Sequence, residues 1–134
     1  MKQPVVLYVE DDALSREVLQ LLLVEAMQLP HVTIFEDSHD FLPRLKSLTP
    51  KPDIILLDIH MKPNDGFQML KMIRSQDDFQ SVPVIALTAS VMNEEVRQLK
   101  VSGFNGAIAK PIDQETFEDV LYRMVNGEQI WRIV

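Results

Sequence analysis

Short apolar runs alternate with longer helical stripes along most of this chain of 134 residues. Val5-Val-Leu-Tyr-Val9, Ile54-Ile-Leu-Leu57 and Pro83-Val-Ile-Ala-Leu87 are continuous apolar segments, short and bounded by polar or turn residues. Such runs fit strands buried on both faces. His31-Val-Thr-Ile-Phe35 and Gly106-Ala-Ile-Ala109 read as two further, shorter strands. Between them the spacing turns helical. Leu14, Val18, Leu21 and Leu22 mark a helix up to Met27, closed by Pro30; Phe41, Leu42, Leu45 and Leu48 mark a second. Phe67, Met69, Leu70 and Ile73 mark a third, ending near Asp78; Met92, Val96 and Leu99 a fourth, stopped at Gly103. Phe117, Val120, Leu121 and Met124 mark a fifth, stopped by Gly127. Asp11 or Asp12, Asp40 (with Pro43 in the first turn), Ser90 and Asp113 are the expected N-caps.

Five strand–helix repeats imply a parallel sheet covered on both faces. The predicted fold is α/β: a doubly wound, five-stranded, three-layer sandwich. Strand order 2-1-3-4-5 is the common one for five units.

Length and composition narrow the picture. One domain is the natural count, with 46% apolar and 25% charged residues. No cysteine is present, which excludes disulfides, thiolate metal sites and a cysteine nucleophile. The start of the chain lacks a signal-peptide pattern and no apolar run reaches membrane-span length, so a cytoplasmic protein is expected. A net charge of −7 gives no electrostatic footprint for direct nucleic-acid binding.

The candidate chemistry lies where the strands end. Four of the five runs terminate in Glu10/Asp11, Asp58, Thr88 and Lys110. In a parallel sheet these ends share one edge. Each residue alone reads as a cap or turn; together they gather three carboxylates, a hydroxyl and an ammonium. Two carboxylates about 4 Å apart repel by about 4 kcal/mol at an effective dielectric of about 20. Such a cluster raises its pKa values or recruits a cation. Hard oxygen ligands with an open face suit Mg²⁺, often alongside phosphate. Asp58 is then the candidate nucleophile toward phosphorus, with Thr88 and Lys110 stabilising charge on the transferred group.

With Val-Leu-Tyr-Val-Glu10-Asp11-Asp12, the run ending at Asp58, Asp65-Gly66, Leu87-Thr88-Ala89 and Lys110-Pro111 in this order, the chain resembles receiver domains of two-component response regulators, of the stand-alone chemotaxis type. The resemblance runs from Val5 to about Val125 and implies the flavodoxin-like order. It implies Asp58 as phosphoacceptor from a histidine kinase or phosphotransfer protein. Glu10, Asp11, Asp58 and the backbone carbonyl of His60 would hold Mg²⁺. Thr88 and Lys110 would contact the phosphoryl group, and the Lys110–Pro111 peptide would be cis. The output would be switched protein–protein contacts, making the chain a switch that catalyses only its own phosphorylation and dephosphorylation. Two positions depart from the family: Lys62 stands where Pro is usual, with Pro63 next, and Ala107 stands where an aromatic switch residue is frequent.

His60 is expected at the rim of the site, tuning water access. Asp12 reads as a cap, Asp53 and Asp65 as turn residues, His31 and His39 as surface or strand-edge residues. Residues 1–127 form the expected receiver domain. The apolar tail 128–134, with Ile130 and Trp131, is expected to pack back, to form a homodimer or partner contact, or to be a linker stub. Three other functions compete. A receiver excised from a hybrid kinase or transcription factor is one. An Asp-nucleophile phosphatase is another, but it would want a second Asp at position 60. A flavodoxin-like cofactor binder is disfavoured by the acidic Glu10-Asp11-Asp12.

Overall fold

The computed structural model describes residues 3–89 and 92–132, without the side chain of Arg132. In chain order the elements are β1 (Val6–Val9), α1 (Ala13–Gln20), β2 (Val32–Phe35), α2 (Phe41–Lys46), β3 (Ile54–Asp58), α3 (Gly66–Arg74), β4 (Val84–Thr88), α4 (Asn93–Ser102), β5 (Gly106–Ala109), α5 (Phe117–Val125) and β6 (Ile130–Arg132). All strand pairs are parallel, in the order β2-β1-β3-β4-β5-β6. The doubly wound parallel architecture and the order of the first five strands are as expected.

The count of five strands is corrected to six. Val125 ends α5, and the tail returns to pair along the outer edge of β5, with Gly106 opposite Ile130 and Ala107 opposite Trp131. Gly106 makes this approach feasible, because a Cβ there would lie 2.6 Å from the Ile130 carbonyl oxygen. Ile130 is buried, the Trp131 ring packs on the core, and the Lys100 ammonium of α4 sits 5.1 Å from that ring's centre. An exposed strand edge invites unwanted pairing, and apolar tail residues cover this one.

Alternation along the buried strands divides the core in two. Leu7, Val9, Ile55 and Leu57 face α2 and α3, while Val6, Tyr8, Ile54 and Leu56 face α1 and α5. On α5 the expected set Phe117, Val120, Leu121 and Met124 is buried. On α1 the expected face is corrected in part: of the four expected residues, Val18 and Leu22 pack against the core. Leu14 and Leu21 are 69% and 51% exposed, whereas Leu19, Leu23 and Met27 are buried. The helix runs on as a π-helical stretch, Leu21–Ala26, with Met27 N–H bonded to the Leu22 carbonyl. Wider turns rotate less per residue, which keeps Leu19, Leu23 and Met27 on one side. A nearly all-apolar run from Leu19 to Val24 gave periodicity little to distinguish.

Caps follow local chemistry. Asp12, not Asp11, caps α1 by accepting from Ser15 N–H and the Ser15 hydroxyl at 2.9 and 2.7 Å. Asp65 and Gln68 form a reciprocal capping box on α3. Asp40 precedes α2 in a left-handed conformation, φ 50°, and its carboxylate caps nothing. The Asp113 carboxylate accepts from Glu115 N–H in the turn before α5, so it does not cap the helix that starts at Phe117. The expected cap Ser90 lies outside the described residues. Gly103 ends α4 at φ 105°, a conformation glycine adopts without strain.

Candidate functional site

Strand register builds the site. Val9 pairs with Leu57, Asp58 with Leu87 and Thr88 with Ala109, so β1, β3, β4 and β5 end level with one another. Glu10 and Lys110 are the next residues of their strands. This carboxyl edge is where parallel sheets place their sites.

One oxygen from each of Glu10, Asp11 and Asp58 lies within 4.8 Å of the others. Glu10 is fully buried and Asp58 nearly so, while Asp11 is exposed at the mouth. The Lys110 ammonium sits 2.5 Å from Glu10 Oε1 and 3.5 Å from Asp58 Oδ1. His60 N–H donates to Asp58 Oδ1 at 3.4 Å. Thr88 is fully buried at the end of β4, and its carbonyl accepts from Lys110 N–H. The Lys110–Pro111 peptide is cis.

Electrostatics follow from this crowding. Burial, then hydrogen bonding with Glu10 and its negative charge, push the Asp58 carboxyl up to about 7; Lys110 and the His60 N–H pull the other way. With all three carboxylates ionised, one ammonium leaves an excess of two negative charges. A buried oxygen donor set with that excess and one exposed side fits a hard divalent cation.

His60 projects at the rim. Its side chain is 67% exposed, with Nε2 3.3 Å from Glu95 Oε1 of α4. That Glu95 oxygen is buried and has no hydrogen-bond partner among the described residues, so the two side chains approach without hydrogen-bond alignment. Lys62 is exposed, and no ion pair joins it to the three carboxylates among the described residues. The Lys62–Pro63 peptide is cis. The loop is anchored one residue later: Asn64 N–H donates to the buried Ser38 hydroxyl, and Asn64 Nδ2 to the Ser38 carbonyl, both at 2.9 Å. Ala107 is buried, with Trp131 of β6 as its neighbour on the next strand.

Sequence reasoning missed Tyr8. Its hydroxyl donates to Glu10 Oε1 at 2.9 Å, and its phenol is pushed up by burial and by the Glu10 charge. The signal was available: Tyr8 and Glu10 are two residues apart on a strand and so share a face. Ser38, Asn64 and Glu95 were also missed, and no local pattern singles them out. Beside the carboxylates lies a groove of about 340 Å³, lined by Tyr8, Leu14, Val18, Lys110 and Ile112 among others.

The family model for the response regulator receiver domain matches residues 6–122. This chain belongs to that family. The receiver domain of sensor histidine kinase PA1611 from Pseudomonas aeruginosa, solved with magnesium in its active-site cleft, is 25% identical with a TM-score of 0.80. That comparison covers 94% of this chain and 100% of the other. The chemotaxis protein CheY4 of Vibrio cholerae is 26% identical with a TM-score of 0.79, over 91% of this chain and 98% of that one. The histidine kinase BarA of Escherichia coli is 31% identical over 93% of this chain, which spans 13% of the kinase. Polar-differentiation response regulator DivK of Brucella anthropi is 31% identical over 53% of this chain and 58% of its own length. The chain is therefore a phosphoacceptor receiver of two-component phosphorelay signalling, and its acidic cluster accords with the magnesium binding of such domains.

Proposed function

We propose that Asp58 accepts a phosphoryl group from a histidine kinase or phosphotransfer protein. Its carboxylate attacks phosphorus, the bond to the donor imidazole breaks with its electron pair leaving on nitrogen, and an aspartyl phosphate forms. The observation that carries this reading is the convergence of Glu10, Asp11, Asp58 and Lys110 at one strand-end cluster. Glu10, Asp11, Asp58 and the His60 carbonyl would hold Mg²⁺, which offsets like-charge repulsion between the donor phosphoryl and the carboxylates. Lys110 supplies a mobile point charge to one phosphoryl oxygen and Thr88 a hydroxyl to another. His60 at the rim limits water access to the acyl phosphate.

The chain acts as a switch. Drawing Thr88 and Lys110 toward the phosphoryl group alters the surface around α4 and β5, which a downstream protein target or a second copy of the chain reads. An acidic surface argues against direct nucleic-acid contact, and we assign the domain to the cytoplasm, where phosphoryl donors form. The short share of BarA that the chain spans favours a second arrangement, a receiver module within a longer kinase. A phosphatase reading has His60 where a second Asp would be wanted.

The test is mass measurement after treatment with acetyl phosphate and Mg²⁺. Wild type should gain a single phosphoryl group; Asp58→Asn should gain none, and neither should chelated wild type. Labelling that persists in Asp58→Asn would refute the assignment.

A further inference from the structure

Glu10 Oε1 accepts two donors at once, the Lys110 ammonium at 2.5 Å and the Tyr8 hydroxyl at 2.9 Å. The other Glu10 oxygen meets Asp12 N–H at a longer 3.3 Å. Glu10 is fully buried, so water does not solvate a donor's absence. Resting on the phosphoacceptor reading, this arrangement raises a problem. Lys110 serves both Glu10 and the phosphoryl group, yet an ammonium drawn toward phosphate leaves Glu10 Oε1 behind.

We propose that Tyr8 is a positioning residue that holds Glu10 through this exchange. Its ring is packed between α1 and α5 and is 1% exposed, so the hydroxyl is fixed with respect to β1. Lys110 can leave, whereas Tyr8 cannot. When Lys110 turns to the phosphoryl group, the Tyr8 hydroxyl keeps one Glu10 oxygen occupied and the carboxylate's orientation toward the cation unchanged. The glutamate side chain matters here. Its extra methylene, relative to aspartate, carries the carboxylate into reach of a hydroxyl on the same strand face two residues earlier. Partners that orient ligating carboxylates typically alter metal affinity 10- to 100-fold when removed.

Calorimetric titration with Mg²⁺ of wild type, Tyr8→Phe, Lys110→Ala and the double variant tests the proposal. Tyr8→Phe removes one oxygen and leaves the packed ring. Its loss should weaken Mg²⁺ binding about 3-fold with Lys110 present and at least about 10-fold in the Lys110→Ala background, where the Tyr8 hydroxyl still donates to Glu10 Oε1 and a metal-bound Asp58 carboxylate has no proton to share with it. An equal or absent effect in both backgrounds overturns the proposal. A second measurement needs no variant. In the wild-type proton spectrum, the Tyr8 hydroxyl resonance should be protected from exchange and stay so after Mg²⁺ and beryllofluoride are added; its disappearance also overturns the proposal. Failure of wild type to bind Mg²⁺ or to take up phosphoryl would instead sink the phosphoacceptor reading.

Discussion

Asp58 is buried beside a second carboxylate, and that placement makes stability depend on pH. Its folded-state value of about 7 stands above the ordinary 3.8. Between those values the folded protein keeps a proton that the unfolded chain releases. The stabilisation is complete below about pH 4 and is lost as pH rises through 7, by an amount on the order of 4 kcal/mol at most. Urea unfolding of the metal-free protein at pH 5 and pH 8 should show this decline, and Asp58→Asn should flatten it. An unchanged slope in Asp58→Asn would place the titration elsewhere. Added Mg²⁺ should restore stability at pH 8, by about 2.7 kcal/mol at one hundred times its dissociation constant, and a chelator should remove it.

The β6 strand is held by a short list of contacts, so its contribution can be isolated. Gly106→Ala sets a Cβ against the Ile130 carbonyl and should cost about 1–3 kcal/mol, with a red shift in Trp131 fluorescence as the ring leaves the core. Truncation after Gly127 should also destabilise the domain, by uncovering the β5 edge and removing buried Ile130. In the truncated chain the Gly106→Ala penalty should fall, because the nearest clashing atom, the Ile130 carbonyl oxygen, is gone. A penalty that persists would point to Ile85 of β4 and Met124 of α5, whose side chains a Cβ there would meet at 3.3 and 3.4 Å. A change in oligomeric state on truncation would give the tail a dimer role as well.

The molecule as a whole exposes apolar side chains beside its reactive edge. Leu14 lines the groove next to Lys110, and Leu21 continues the outward face of the first helix. A phosphohistidine donor must seat near Asp58, and this face suits an apolar partner surface. Leu14→Asp should therefore slow phosphoryl transfer from a histidine donor protein about tenfold or more, an interfacial loss near 1.4 kcal/mol, while leaving labelling by acetyl phosphate unchanged. Equal slowing with both donors would point to damage at the site itself.

The residue pattern alone set the alternation of strands and helices, the parallel sheet and which residues end its strands. The cause is local: a continuous apolar run must be buried, and what ends the run must emerge at the sheet's edge. Hence Glu10, Asp11, Asp58, Thr88 and Lys110 were legible before any contact was known. Tertiary structure decided the rest. Whether Leu21 or Leu23 faces inward depended on a π-helical stretch that a run of leucines conceals. The sixth strand required an open β5 edge, a missing Cβ at Gly106 and a tail long enough to return, three facts that meet only in space. Asp40 and Asp113 looked like caps because carboxylates suit free N–H groups, yet backbone direction aimed them elsewhere. The hydroxyl of Tyr8 found Glu10 for the opposite reason: strand geometry put both on one face, and packing left the phenol no other direction.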